Sequence, residues 1–197
     1  MKIRYLLFVF ILIFSGCTSA GSKFIHVQYL GKAEASKVLN IGISPFVDQR
    51  QNIDKKYIGK RILNSGNEEI YYVDDLSVAD TITKSFESHL KNKGYSFTKI
   101  NDWSHDVNAL KKINRKFQYI IGGEIKEFEF FANKGYATST NLDITLVIYI
   151  GDIQNNKLTK VPVHLNLVRK DIKFSKEKVE KFINESLTEI ILKSLIL

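Results

Sequence analysis

A short stretch near the middle of this 197-residue chain brings together the residue types that nucleophilic catalysis requires. Residues 102–106, with the sequence Asp-Trp-Ser-His-Asp, place a hydroxyl and an imidazole between two carboxylates. A hydroxyl beside a general base is the pairing that activates a nucleophile. The same residues suit the start of a helix, because Ser and Asp accept hydrogen bonds from the free N–H groups of a first turn. We interpret the stretch as a helix N-terminus with Ser104 as its cap.

The sequence also lacks the motifs of nucleotide binding and of the common hydrolases. Gly59-Lys60-Arg61 contains the lysine of a phosphate-binding loop, but Asp54 stands where that loop needs its first glycine. Neither the Gly-x-Ser-x-Gly elbow nor the His-Glu-x-x-His motif occurs. We therefore expect that the protein is not an enzyme.

Histidines and acidic residues do not cluster as metal ligands do. The four histidines belong to separate predicted elements: His26, His89, His105 and His164. Three glutamates on one strand are better explained as a solvated face than as a catalytic pair: Glu124, Glu127 and Glu129. We expect no metal and no cofactor.

The first seventeen residues decide where the chain works. Lys2 and Arg4 precede ten apolar residues, 5–14, and Ser15-Gly16-Cys17 follows. As a helix this run would span about 15 Å, half of a hydrocarbon core of ~30 Å, so it predicts a secretory signal and not a membrane span.

The small pair Ser15-Gly16 before Cys17 resembles the lipobox of bacterial lipoproteins, with Phe14 in place of the usual aliphatic residue. The resemblance implies that Cys17 is acylated and becomes the first residue of the mature chain. An ordinary signal that is cleaved at another small residue, such as Ala20, is the alternative.

This segment divides the chain into a signal peptide (1–16), a lipid-anchored tether (17–37) and a globular domain (38–197). Cys17 is the only cysteine, so an acylated chain would keep no thiol and its fold would depend on packing. The net charge is +8, or +6 without Lys2 and Arg4 of the predicted signal peptide. It favours anionic neighbours, although a well-solvated lysine-rich surface is the simpler explanation. An exported protein is not expected to bind nucleic acid.

Hydrophobic periodicity predicts an α/β (α+β) fold with one domain and a mixed β-sheet. Its first half reads as a βαβαβ unit, with strands near 38–43, 95–100 and 117–121. The first helix begins at Ser77 and ends before Gly94, and its apolar residues recur every four positions: Val78, Ile82, Phe86 and Leu90. Gly122-Gly123 indicates a bulge or a close backbone approach.

The second half predicts antiparallel strands and a C-terminal amphipathic helix. Turns are expected at 133–135 and 155–157, and the strand between them carries an aliphatic row on one face: Leu142, Ile144, Leu146, Ile148 and Ile150. The helix that begins at Ser175 has an apolar stripe that should cover this row: Val179, Phe182, Ile183, Leu187, Ile190 and Ile191.

The order of these elements and several short motifs resemble the YajG-type family of bacterial lipoproteins over nearly the whole mature chain. The motifs are Asp48-Gln49-Arg50, Lys93-Gly94-Tyr95, Tyr119-Ile120-Ile121, Phe128-Glu129-Phe130-Phe131 and Asn133-Lys134-Gly135-Tyr136. More distantly, the architecture is similar to the auxiliary lipoproteins of lipid-transporting ABC systems. Neither resemblance implies a catalytic residue, and residues 51–75 form a longer connection than the YajG pattern has.

Residues 48–75 read as a long polar connection, and long connections are often functional. They carry the arginines and tyrosines that are enriched in interfaces, and we expect a partner-binding surface at Arg50, Tyr57, Lys60, Arg61, Tyr71 and Tyr72. The tyrosines would anchor the partner and the basic residues would steer an acidic or anionic one. A surface flap without a partner is the alternative. In either case, a short Gly/Ser linker should replace 51–70 without loss of the fold.

The sequence thus predicts a membrane-anchored, non-enzymatic lipoprotein of the cell envelope that binds an envelope protein or an anionic polymer. The alternative is an auxiliary lipid-binding component of a transport system, which would need an unfilled apolar groove. If the organism has two membranes, Thr18 after the cysteine resembles the signal for the outer membrane, with the domain facing the periplasm.

Overall fold

The computed structural model describes residues 21–33, 39–101, 103–135 and 137–195. The predicted signal peptide, Cys17 and the predicted domain boundary at residue 38 lie outside these ranges. Within them, the elements in chain order are β1 (Lys23–Ile25), β2 (Asn40–Ile43), β3 (Val47–Asp48), β4 (Tyr57–Ile62), β5 (Glu68–Val73), α1 (Val78–Asn92), β6 (Ser96–Lys99), α2 (Val107–Leu110), β7 (Tyr119–Lys134), β8 (Thr138–Asp152), β9 (Lys157–Asp171) and α3 (Lys176–Ser194). None of these helices is long and apolar enough to span a membrane.

The predicted mixed sheet is confirmed, and β7 is its centre. This strand of 16 residues pairs antiparallel with β8 along its whole length. Its other edge pairs in parallel with three short strands in turn, β2 at 119–121, β3 at 124–125 and β4 at 130–133. The remaining strands lie further out, β6 beside β2, β5 and then β1 beside β4, and β9 beside β8.

A β-bulge at Lys126 reverses the side-chain alternation of β7. The register against β8 shifts at this residue. Before the bulge the fully buried inward side chains are odd-numbered, Ile121 and Ile125, and after it they are even-numbered, Phe128 and Phe130. Because alternation along a strand has a period of two, one extra residue is enough to exchange the two faces.

Gly122-Gly123 marks a close approach, as predicted, and the bulge lies three residues further on. A Cβ on Gly123 would lie 2.4 Å from the ring of Phe46, and one on Gly122 would lie 2.7 Å from Nε2 of His105. These distances leave no room for a side chain on either glycine.

The predicted cover of the aliphatic row is confirmed. Four residues of the row are fully buried in the main core, Leu142, Ile144, Leu146 and Ile148, and so are three residues of α3, Ile183, Leu187 and Ile191. Phe182, by contrast, is only partly buried, because it lies at the edge of the helix interface beneath the guanidinium of Arg169, 5.8 Å from its ring centre.

An extended segment after β1 lies between α1 and α3. Its backbone N–H groups at residues 26, 28 and 30 donate in turn to three side chains of α3, Glu180 (3.1 Å), Asn184 (2.9 Å) and Thr188 (2.9 Å). Its alternate side chains, Val27 and Tyr29, are buried. Residues 23–30, which the sequence assigned to the tether, therefore pack against the sheet and the helices.

The interpretation of residues 48–75 as a long polar connection is wrong. They contain β4 and β5, which form an antiparallel hairpin around a turn at Gly66, where φ is +81°. The hairpin continues the sheet, because β4 pairs with β7 and β5 pairs with β1. A Gly/Ser linker in place of 51–70 would remove these strands, and the fold would not survive it unchanged.

We predict that Leu187→Ala lowers the free energy of unfolding by about 2–5 kcal/mol, because it opens a cavity beneath a fully buried position. Leu192 lies on the same helix and is 46% exposed, so Leu192→Ala should cost no more than about 0.5 kcal/mol. Equilibrium denaturation of both variants in urea measures the difference. Equal losses would show that α3 does not cover the sheet in this orientation.

Candidate partner-binding face

The six residues that the sequence proposed for partner binding do not form one surface. Three of them, Tyr57, Lys60 and Tyr72, lie on the outer face of the sheet, away from α1 and α3. Arg61 and Tyr71 belong to the inner face. Arg50 is part of the connection between β3 and β4, and its side chain is buried under that connection. The alternation of the β4–β5 hairpin, which the sequence did not reveal, causes this division.

Arg50 has a structural role. Its guanidinium binds both carboxylate oxygens of Asp48, at 2.9 and 2.8 Å, and also donates to the backbone carbonyls of Tyr57 and Phe128. Its side chain is 4% exposed. The guanidinium thus directs its N–H donors to one carboxylate, in a bidentate ion pair, and to two backbone carbonyls. Arg50 therefore holds the β3–β4 connection against β7.

Tyr71 is fully buried, which makes it unavailable as a surface anchor. Its hydroxyl donates to Glu69, which also pairs with Lys23 at 2.5 Å and with Arg61 at 3.1 Å. Although burial opposes the charge of Glu69, its hydrogen bonds from Lys23, Arg61 and Tyr71 lower the pKa of this carboxyl. The guanidinium of Arg61 lies 4.1 Å from the ring centre of Phe174. These residues close one end of the core.

The outer face carries polar side chains in rows that cross three strands. In the first row Glu127, Thr145 and His164 are register partners on β7, β8 and β9. The Thr145 hydroxyl donates to Glu127 at 2.7 Å and lies 2.9 Å from Nδ1 of His164. A hydroxyl has only one proton, so Nδ1 of His164 is the donor in the second bond.

The second row runs parallel to the first. Glu129, Asp143 and Asn166 are register partners, and the amide of Asn166 donates to Asp143. Tyr57 reaches this row from β4 and donates its hydroxyl to Glu129 at 2.7 Å. Burial, followed by the bond to Glu129, raises the pKa of Tyr57, so the phenol stays protonated and remains a donor.

These rows line an open groove of about 610 Å³, which we call the acidic groove. Its walls are the β3–β4 connection, β7, and the outward side chains of β8 and β9, and it is lined by Arg50, Gln51, Ile53, Lys126, Glu127, Phe128, Glu129, Phe131, Asp143 and His164. Phe131 and Ile53 provide apolar surface beside the polar rows.

The charges in the acidic groove do not cancel. Its two cations already have acidic partners, Lys126 with Glu124 at 2.7 Å and Arg50 with Asp48. Its three carboxylates instead accept hydrogen bonds from neutral groups: Glu127 from Thr145, Glu129 from Tyr57, and Asp143 from Asn166. The groove is therefore locally negative although the whole chain carries a charge of +8. Within the described ranges, no group of three or more His, Cys, Asp or Glu residues is placed to hold a metal ion.

The other end of the outer face is covered by the segment that contains residues 103–106. This segment starts a helix, as predicted, but the cap of α2 is Asp106, which accepts from the N–H of Ala109, and Ser104 donates to Asp106. His105 stacks on Tyr149 with ring centres 4.8 Å apart, and burial lowers the pKa of its imidazole. The segment thus packs as a lid on β8, and the acidic groove lies beyond it.

Sequence reasoning missed most of the groove. It identified Glu127 and Glu129 as part of a solvated face, but it did not give the strand register that sets them beside Asp143 and His164. The signal was present in β7, where the apolar positions change from odd to even numbers around Lys126. That change predicts a bulge, and the bulge fixes which glutamates face outward.

No protein-family model matches the chain, and no curated protein is significantly similar to it in sequence. Solved structures are similar to it in fold. The protein XCC0632 from Xanthomonas campestris, assigned to family DUF330, superposes with a TM-score of 0.55 and 11% identity over 89% of this chain and 95% of that one. A structure described as an uncharacterized protein gives a TM-score of 0.50 and 9% identity over 88% of this chain and 95% of its own.

The superposition with the lipoprotein GNA1162 from Neisseria meningitidis covers 79% of this chain and 99% of that one, with 10% identity and a TM-score of 0.33. That score is too low to establish a common fold. At 11% and 9% identity, the first two similarities establish the architecture alone, a mixed sheet with a C-terminal helix.

Proposed function

We propose that the protein is a non-enzymatic lipoprotein of the cell envelope, anchored through Cys17, whose domain binds a partner protein in the acidic groove. The observation that carries the proposal is the arrangement of Glu127, Glu129 and Asp143 on one open face, three carboxylates that form no ion pair with any residue in the described part of the chain. Carboxylates that are held in place by neutral donors keep their charge available for an incoming cation.

The chemistry of the groove favours a basic protein segment over an anionic polymer. Like charges that meet across an interface disfavour binding, so a phosphate- or carboxylate-rich polymer would be repelled here. A segment with Lys or Arg beside an apolar residue would pair with the carboxylates and pack against Phe131 and Ile53. This reverses the charge that we expected of the partner from the basic residues of 48–75.

The alternative role as a lipid carrier has less support. A lipid acyl chain needs an unfilled apolar groove, and the aliphatic row that could have formed one is covered by α3. The acidic groove would also repel an anionic headgroup.

The resemblance of the sequence to YajG-type lipoproteins supports the envelope location. The order of Ser15-Gly16-Cys17 followed by Thr18 supports an outer-membrane position, facing the periplasm, in an organism with two membranes. These residues lie outside the described part of the structure, so the support for anchoring comes from the sequence alone.

We predict that Cys17→Ser abolishes acylation and moves the protein from the membrane fraction to the soluble fraction of the envelope. Each buried CH₂ of an acyl chain contributes about 0.8 kcal/mol, and several chains together hold a protein firmly. Metabolic labelling with a palmitate analogue and fractionation measure both effects. An unchanged label and unchanged membrane retention in the variant would refute the anchor.

We predict that Glu127→Gln combined with Asp143→Asn reduces partner capture at least about tenfold, which corresponds to about 1.4 kcal/mol of binding free energy. Both changes keep the side-chain shape and the hydrogen-bonding acceptor oxygen while they remove the charge. The matched control is Glu185→Gln with Glu189→Gln, which removes two exposed charges from α3. A photo-crosslinking residue in place of Val168, which is 59% exposed on β9, reports capture in intact envelopes.

Equal adducts from the groove variant and the control variant would contradict the proposal. A groove variant that loses the adduct but unfolds in urea at a lower midpoint would have to be replaced by Glu127→Gln alone before the comparison is made.

A further inference from the structure

One end of the sheet lies next to the start of the described chain. Pairing across six strands aligns Lys23, Tyr71, Gly59, Phe130, Leu142 and Leu167 in one row. β1 therefore begins towards the end of the sheet at which β9 ends and turns into α3. We call this end, with the β9–α3 turn at residues 170–176, the anchor-proximal end.

The β9–α3 turn and Lys23 of β1 lie next to the same side chain, that of Tyr71. The ring of Phe174 in the turn lies 6.2 Å from the ring of Tyr71, centre to centre. The Nζ atom of Lys23 lies 5.9 Å from the centre of the same tyrosine ring. Residues 23 and 174 thus pack around one side chain, although they stand at opposite ends of the sequence.

The most exposed large apolar residue among those described is in this turn. Ile172 is 91% exposed, although Phe174, two residues later, packs into the core edge. An isoleucine that is exposed to water forgoes the free energy that burial in an apolar environment would provide. Such a residue is typical of a surface that meets an apolar phase or a partner.

Basic residues outnumber acidic residues around Ile172. Lys170 and Lys173 are exposed and take part in no ion pair with the residues described here, and Lys176 follows at the start of α3. Asp171 is the acid between them, and it is already paired with Arg169 at 3.2 Å and Lys178 at 2.9 Å. Glu177 is the other exposed acid nearby. Free lysines beside an exposed aliphatic residue match the chemistry of an anionic lipid surface.

We propose that the anchor-proximal end rests on the membrane, with Ile172 in the interfacial region and Lys170 and Lys173 against anionic headgroups. This proposal rests on the acylation of Cys17 under the proposed function. It adds an orientation to the anchor: the strands stand upright on the bilayer, and the acidic groove faces sideways into the envelope.

A second basic cluster lies at the far end and competes for the same lipids. Its exposed residues are Lys111, Lys112, Arg115 and Lys116. The preceding helix α2 packs its Leu110 on Gly151, and Gly151 is nine residues along β8 from Leu142, roughly 30 Å at the rise of a strand. The six residues from Cys17 to Lys23 can extend at most about 20 Å. The anchor therefore favours the end that contains Ile172.

Depth measurements on the acylated full-length protein in vesicles of phosphatidylethanolamine and phosphatidylglycerol test the orientation. Ile172→Cys and Val107→Cys are each labelled with an environment-sensitive fluorophore. Val107, in α2, is 41% exposed and serves as the matched control at the far end. We expect a blue shift and quenching by spin-labelled lipid for the probe at 172, and neither effect at 107. Adding Lys170→Glu and Lys173→Glu should reduce the quenching at 172.

Four results would overturn the proposal. A probe at 172 that reports water while the protein still sediments with the vesicles would refute the orientation and leave the anchor intact. Quenching at 107 would place the opposite end on the membrane. A protein that does not sediment with the vesicles, or a parent chain whose Cys17 reacts with the fluorophore, would refute the anchor itself and with it the proposed function.

Discussion

The bulge at Lys126 determines what each face of the sheet can do. It lets one continuous strand bury Ile121 and Ile125 in its first part and Phe128 and Phe130 in its second. If β7 instead alternated regularly through Lys126, with no bulge, Phe128 and Phe130 would face water and Glu127 and Glu129 would point into the inner face. Burial of two carboxylates in an apolar core would cost far more than the unpaired residue does. The bulge thus separates a filled inner face from a charged outer face.

The two faces and the two ends give the molecule distinct surfaces. The helices α1 and α3 and the extended segment between them pack on the inner face, so the burial of apolar side chains there stabilises the fold. The outer face is closed at one end by the lid around His105 and open at the other, where the acidic groove lies. The end next to Lys23 carries exposed lysines and an exposed isoleucine. This division suits the lipid-anchored, partner-binding role that we propose, since the membrane and the partner must be met by different surfaces.

Local periodicity predicted the elements whose signals are local. Apolar residues at every second position in β8 and at every fourth in α1 identify their buried faces without reference to the rest of the chain. The β4–β5 hairpin was not predicted because its inward positions include two charged residues, Arg61 and Glu69. They pair with each other at the edge of the core and obscure the alternation of apolar and polar residues. The Ser-Gly pair at 65–66 was the available turn signal. The packing of the segment after β1 was not predicted because its backbone N–H groups bind side chains of α3 that lie 154–158 residues later in the sequence. No local sequence pattern encodes such contacts.

Carboxyl footprinting of the protein in its own envelope and after purification, with carbodiimide modification read by mass spectrometry, measures whether a partner occupies the acidic groove. We expect Glu127 and Asp143 to be modified several-fold less in the envelope than in the purified protein, because a basic partner covers them. Glu185 on α3 should be modified equally in both samples. Equal modification of Glu127, Asp143 and Glu185 in the envelope and in solution would mean that the acidic groove is empty in the cell, and it would contradict the central claim.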